Sequence, residues 1–148
     1  MSDITSQQLV VFSLGSEEYA LPIGAVSEII RFTEPRTVAS EAAWIRGVIG
    51  LRGKIIPIFD LAARMGLDGA GSEPGKIVIV ETGTGQVGVM VSEVEEVLTV
   101  GPDALDDVPT ADRDSIRGIA RIEDRLVVLL DPEGLFGRQG AGELGAAA

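Results

Sequence analysis

Between residues 9 and 136 the apolar positions come in short runs, each closed by glycine, proline or paired charges. LVVFSL at 9–14 and YALPI at 19–23 flank Gly15-Ser16, which predicts a β-hairpin. Pro22 cannot donate a ladder hydrogen bond, so this second strand is expected at an edge or a bulge. AVSEIIRF at 25–32 carries apolar Val26, Ile29 and Ile30, which over so short a span suit a helical turn and a strand equally. Glu34-Pro35 breaks the pattern, and Glu41-Ala42-Ala43-Trp44 predicts a short helical turn. WIRGVIGLRGKIIPIFDL at 44–61 then threads three glycines and the basic Arg46, Arg52 and Lys54 between residues that a sheet would bury. After a linker at 66–75, KIVIVE (76–81) and VGVMV (87–91) predict two strands around a glycine-rich turn. EVEEVL repeats the ambiguity of AVSEII, residues 102–114 read as an acidic loop, and RLVVLLD at 125–131 is a strong strand before a short helical end at 133–136.

The pattern occurs twice. Leu9-Val10-Val11-Phe12 falls on Ile77-Val78-Ile79-Val80 at an offset of 68, and the same offset lays Val26-Ser27-Glu28-Ile29-Ile30 on Val94-Glu95-Glu96-Val97-Leu98. Three residues of insertion later, Ile45-Arg46-Gly47 falls on Ile116-Arg117-Gly118 and Asp60 on Asp131 at an offset of 71. Halves of about 65 residues are marginal alone, so their apolar faces are expected to pack together. Strand-rich, short-looped and duplicated, each half is expected to be a small barrel.

Composition narrows the chemistry. The 148 residues are 45% hydrophobic and 24% charged, enough for a sizeable core, and their 19 glycines favour many turns. With neither cysteine nor histidine, thiolate sites and the commonest general base and zinc ligand are absent, leaving carboxylates, Lys54, Lys76, Tyr19 or hydroxyls for any catalysis. Residues 1–8 have no basic and apolar leader pattern, and no apolar run approaches the ~18 residues of a spanning helix. A net charge of −11 opposes nucleic acid and anionic lipid. Its distribution is uneven: residues 29–66 carry six basic against three acidic side chains, and 93–114 eight acidic against Arg113 alone.

Three patterns suggest chemistry. Gly83-Thr-Gly85-Gln-Val-Gly88 satisfies GxGxxG, but its counterpart in the first half is the plain hairpin turn Gly15-Ser16-Glu17-Glu18, and Val-Met-Val is poor material for a phosphate-binding helix start. The carboxylate doublets Glu17-Glu18, Glu95-Glu96 and Asp106-Asp107 point to opposite faces of a strand and cannot converge on one ion. Asp60 and Asp131 each close a strand before a helical turn and read as N-caps, and Trp44 as a core anchor. Arg52 is the open question: its counterpart is Glu123, and it serves either a partner or a pair with Glu28 or Asp60 that closes the barrel.

The run VVFSLGSEEYALPIGAVSEIIR, then WIRGVIGLRGKIIPIFDLAARMGL, KIVIVE, GVMVSEVEEVL and RLVVLLDPEGLF closely resembles the CheW family of chemotaxis coupling proteins over residues 8–136. The resemblance implies an all-β fold, two five-stranded SH3-like barrels packed around a shared hydrophobic core with short helical turns. The domain is expected at 8–137, with a first barrel near 8–66, a second near 76–137, strand exchange between them left open, and residues 1–7 and 138–148 as disordered tails. It further implies a non-catalytic adaptor without cofactor, metal, nucleic acid or membrane insertion. Such an adaptor is cytoplasmic, and partners recruit it to membrane receptor arrays. Those partners are the regulatory domain of the histidine kinase CheA and the cytoplasmic tip of methyl-accepting receptors. Carried over by motif, Val26, Glu28, Arg46, Gly47 and Arg52 resemble receptor-coupling positions, and Val94 and Val97 flank the same groove between the barrels. Kinase contact in the family is made by barrel ends. Gly50 departs from the asparagine common before Leu-Arg-Gly. The alternatives are a related adaptor for surface motility and, from another class, a small carboxylate- or nucleotide-binding enzyme.

Overall fold

Strict alternation along the strands decides which side chains meet. The computed structural model describes residues 6–39, 44–66, 74–107 and 115–137. Its strands are β1 (Gln7–Leu14), β2 (Glu17–Pro22), β3 (Val26–Arg31), β4 (Ile45–Leu51), β5 (Lys54–Asp60), β6 (Lys76–Thr82), β7 (Gly85–Val91), β8 (Glu93–Val100), β9 (Leu105–Asp106), β10 (Ile116–Ile122) and β11 (Arg125–Leu130). Both ambiguous segments are therefore strands, β3 preceded by a single 3-10 turn at Ile23–Ala25. A helical turn α1 (Leu61–Arg64) follows β5, and a π-type turn at Glu133–Gly137 follows β11. Residues 41–43 of the helical turn expected at 41–44, the linker core 67–73 and the tails 1–5 and 138–148 lie outside the described residues, whereas Gln7 already belongs to β1.

The strands form two sheets, β8-β1-β2-β11-β10-β9 and β3-β6-β7-β5-β4. The sheets do not divide the chain at the linker. Hairpin β1–β2 joins the strands of the second half, hairpin β6–β7 joins those of the first, and the two exchanges are equivalent under the internal repeat. Parallel pairs complete each exchange, Tyr19 and Ala20 opposite Val128 and Leu129, and Ile58, Phe59 and Asp60 opposite Gly88, Val89 and Met90. β2 is consequently interior rather than at an edge. Pro22 is tolerated because it is the last residue of β2, beyond the parallel pairing with β11.

The exchanged strands are buried on both sides, which explains their unbroken apolar runs. One face of each lines its own barrel. Leu9, Val11, Ala20, Val100, Ala120, Val127 and Leu129 fill one barrel, and Ile49, Ile56, Ile58, Ile77, Ile79 and Met90 the other. The opposite faces meet between the barrels: Phe12, Tyr19 and Leu21 from one sheet pack with Phe59, Val78, Val80 and Val89 from the other, under Leu135 and Phe136. Phe59 and Phe136 meet edge to face at 5.1 Å. These two barrels around a shared core are the all-β SH3-like pair expected from the sequence.

Local devices repeat in both halves. Asp60 Oδ1 accepts the Ala63 N–H at 3.2 Å, and Asp131 Oδ1 accepts those of Glu133 and Gly134, so both aspartates are caps. Of the segment read as an acidic loop, residues 108–114 lie outside the described residues; in the described part a 3-10 turn at Pro102–Ala104 leads into β9, which pairs with Ile119 and Ala120. Its counterpart in the first half is a single bridge in which Arg36 and Val48 exchange two hydrogen bonds of 2.8 and 2.9 Å. Because Val48 spends its polar groups on Arg36, its pairing with Pro57 needs no ladder bond, and proline fits inside β5.

Candidate functional site

Arg52 and Glu28, chosen from the sequence, come together at 3.2 Å. Asp60 is not the partner of Arg52; it holds Arg46 at 3.1 Å. Arg52 occupies the first position of the two-residue turn between β4 and β5 with φ +53°, a left-handed conformation that costs an L-residue about 1 kcal/mol. Its side chain is 67% exposed, and an ion pair so open to water contributes at most ~1 kcal/mol. The pair offsets the backbone cost without closing the barrel.

The second half shows what a clamp looks like at this place. Glu96, the counterpart of Glu28, is held by Arg125 at 2.7 Å, and Arg125 also forks onto both oxygens of Glu18 at 3.0 and 3.1 Å. These bonds tie the exchanged β2 to β8 and β11, and they push the Arg125 guanidinium above its ordinary pKa, Glu18 contributing most. In the first half Lys54 stands where Arg125 would be and has no ion-pair partner among the described residues. Glu28 is served instead by Arg52, reaching across from the turn.

The remaining sequence candidates divide between fold and surface. Arg46 pairs with Asp60 as Arg117 does with Asp131 at 3.7 Å, so this pair is a repeated feature of both halves. Gly47 has φ +154°, and a Cβ there would collide with the carbonyl oxygen of Arg36, as one on Gly118 would sit 2.7 Å from that of Asp106. Val26 and Val94 both pack partly buried against the shared core, one from each half, whereas Val97 lies on the opposite face of β8 from Val94 and is 52% exposed.

Each half repeats a pair of apolar surface positions, of which the sequence singled out Val97 and missed the other three. Ile29 and Ile55 of the first half are 41% and 70% exposed, and their counterparts are Val97 and Leu126, the latter 63% exposed. The signal was present as apolar doublets, Ile29-Ile30, Ile55-Ile56, Val97-Leu98 and Leu126-Val127: in a strand buried on one face, one member of each must face out. The Glu18–Arg125–Glu96 trio was missed because it joins residues far apart in sequence through the strand exchange.

Paired barrels that leave matched apolar positions on the outer faces of β3, β5, β8 and β11, with an exposed Arg52–Glu28 ion pair, define a protein-docking scaffold. Residues 8–140 match the model of the CheW-like domain. The chain is 33% identical to the probable chemotaxis protein CheW of Rhizobium etli over 88% of its length and 87% of the relative's, and 30% identical to the chemotaxis protein CheW of Klebsiella aerogenes over 90% and 84%. The crystal structure of the scaffolding protein CheW of Thermoanaerobacter tengcongensis superposes with a TM-score of 0.81 at 32% identity, covering 88% of this chain and 87% of that one. The chain belongs to the CheW family and is a chemotaxis signal-transduction coupling adaptor.

Proposed function

We propose that the chain couples the cytoplasmic tips of methyl-accepting receptors to the regulatory domain of the histidine kinase CheA, working in the cytoplasm at receptor arrays as a binding scaffold rather than a catalyst. The receptor tip lies along the seam where Val26 and Val94 reach the shared core, with Glu28 and Arg52 as polar contacts. Arg46 and Gly47 support that surface from β4, and Val97 on β8 offers an exposed apolar contact beside it. The observation that carries this reading is Arg52: at a positive-φ turn position that its counterpart Glu123 shares, it alone reverses the charge, and its ion pair with Glu28 is too exposed to hold the barrel. Adaptors in arrays need only modest affinity for each partner, because linked sites add avidity.

Co-sedimentation of the chain with purified kinase and receptor fragments, separately and together, tests the reading. Arg52→Asn, which suits the left-handed turn, is expected to keep the β-rich circular dichroism and the melting temperature while receptor co-sedimentation falls. Arg52→Ala is expected to do the same with a small loss of stability. A variant that merely unfolds would make Arg52 a strut of the barrel, and undiminished co-sedimentation would remove it from the interface.

A further inference from the structure

Like charges that face each other directly across an antiparallel ladder destabilise the pair. The ladder between β3 and β6 carries such a contact at Arg31 and Lys76, which stand opposite each other with Cβ atoms about 5 Å apart. Both are held in register, by the pairing of Ile30 with Ile77 on one side and by the Phe32 N–H donating to the Gly75 carbonyl at 3.1 Å on the other. Neither cation has an ion-pair partner among the described residues. Glu93 brings its carboxylate to 3.7 Å from where a Cβ on Gly75 would stand, yet makes no ion pair with Lys76.

The internal repeat shows that the fold does not require two cations here. Gln8 and Thr99 hold the equivalent positions, directly opposite each other between β1 and β8, and both are neutral. Two residues back along the ladders the halves agree: Ile29 faces Val78 as Val97 faces Val10, and Ile29 and Val97 are both exposed. Only the first half therefore sets a pair of positive charges beside its exposed apolar residue. β3 is the outermost strand of its sheet, so no further strand shields Ile29 or Arg31.

We propose that Arg31 and Lys76 together take up one carboxylate of the receptor tip, next to an apolar side chain of the tip that packs on Ile29. The inference rests on the receptor reading above, because Val26 and Glu28 lie on the same strand, and it adds the charge that the tip must carry. Two residues of strand span about 6.6 Å and one helical turn about 5.4 Å. A helix laid along β3 with an apolar residue over Ile29 accordingly brings the residue three or four positions on over the two cations. A carboxylate placed there gains charge-assisted contacts from both and relieves their mutual repulsion, in a contact that salt weakens.

Isothermal titration of the chain with a purified receptor tip fragment, at low and high salt, reads the contact. Arg31→Thr combined with Lys76→Gln copies the pair from the other half. Its melting temperature is expected to equal or exceed that of the wild type, because a like-charge contact is removed. Its dissociation constant for the fragment is expected to rise about tenfold or more and to lose most of its salt dependence. Arg31→Lys keeps both charges and is expected to bind within about threefold of the wild type. Replacing the acidic residues of the fragment one at a time by their amides should find one whose loss of affinity does not add to that of the double variant. Unchanged affinity and salt dependence in the double variant overturn the inference, and Arg52→Asn, whose effect does not pass through Arg31 or Lys76, then shows whether the receptor reading survives. A wild-type chain that does not bind the fragment overturns both. Inorganic phosphate that raises the melting temperature of the wild type but not of the double variant, with fragment binding equal in the two, assigns the cations to a free anion and overturns the inference alone.

Discussion

Replacing Gly47 by alanine separates a fold role from a contact role in the motif Ile-Arg-Gly. The new Cβ would overlap the carbonyl oxygen of Arg36, and the residue would be held at φ +154°. The Arg36–Val48 bridge must open to admit it, which loses two hydrogen bonds worth about 1 kcal/mol each. The left-handed backbone adds about 1 kcal/mol, for a total near 3 kcal/mol. In a domain of this size that lowers the melting temperature by about 10 °C. Gly118→Ala, with its milder approach of 2.7 Å to Asp106 O, is expected to cost roughly half as much. Gly50→Ala meets no neighbour within 4 Å and is expected to change stability by less than about 0.5 kcal/mol. Thermal melts rank the three, and amide hydrogen exchange at Arg36 and Val48 reports the bridge directly. A Gly47→Ala protein that melts with the wild type and keeps those amides protected would refute the close-approach account.

Three further outcomes follow from the packing. Arg125→Met is expected to lower stability by about 1 to 2 kcal/mol in urea titrations, and the loss should shrink in high salt because all three partners are partly exposed; equal losses at all salt concentrations would contradict it. Tyr19, the one tyrosine, is held above its ordinary pKa of 10.0 by burial first and by the Glu17 charge second. Its contribution to stability is therefore complete below the unfolded-state value and lost as pH rises through the folded one, and an ultraviolet titration should find a single phenol transition above that of the unfolded chain. Gly88→Val presses on Ile58 Cδ1, 2.5 Å from the new Cβ, and on Ile77 Cγ2 at 2.9 Å, which should cost more than 1 kcal/mol and broaden the thermal transition.

Much of this architecture was legible in the chain because the repeat and the alternation are local or periodic signals. LVVFSL, KIVIVE and RLVVLL read as strands from residue type alone, and the two aspartate caps from their place before helical turns. AVSEII stayed ambiguous because its burial alternates over a span too short to separate a period of 2 from 3.6. The destination of the hairpins was not legible. A strand buried on both faces carries no mark of which neighbour it takes, so nothing in LVVFSL says that β1 pairs with β8, 80 to 93 residues on. Arg52 could be picked out as unlike its counterpart Glu123, yet its positive φ and its choice of Glu28 over Asp60 depend on the turn closing between β4 and β5. The apolar ends were hidden for the opposite reason: Ile55 and Leu126 look like core until the sheet assigns them the outer face.

The exchange of hairpins also sets an order on biosynthesis. As the chain leaves the ribosome, β1–β2 and β4–β5 can close at once, since each is a neighbour pair in sequence. β3 and β5 must then wait for β6 and β7, and β1 and β2 for β8 and β11. Until the last strand emerges the nascent protein shows unpaired edges and the apolar faces of Phe12, Phe59 and Leu21. Neither half is a stopping point, so a break at the linker yields two fragments that are expected to regain the fold only when both are present. Duplication supplied two copies of one barrel, and the exchange made their folding a single event.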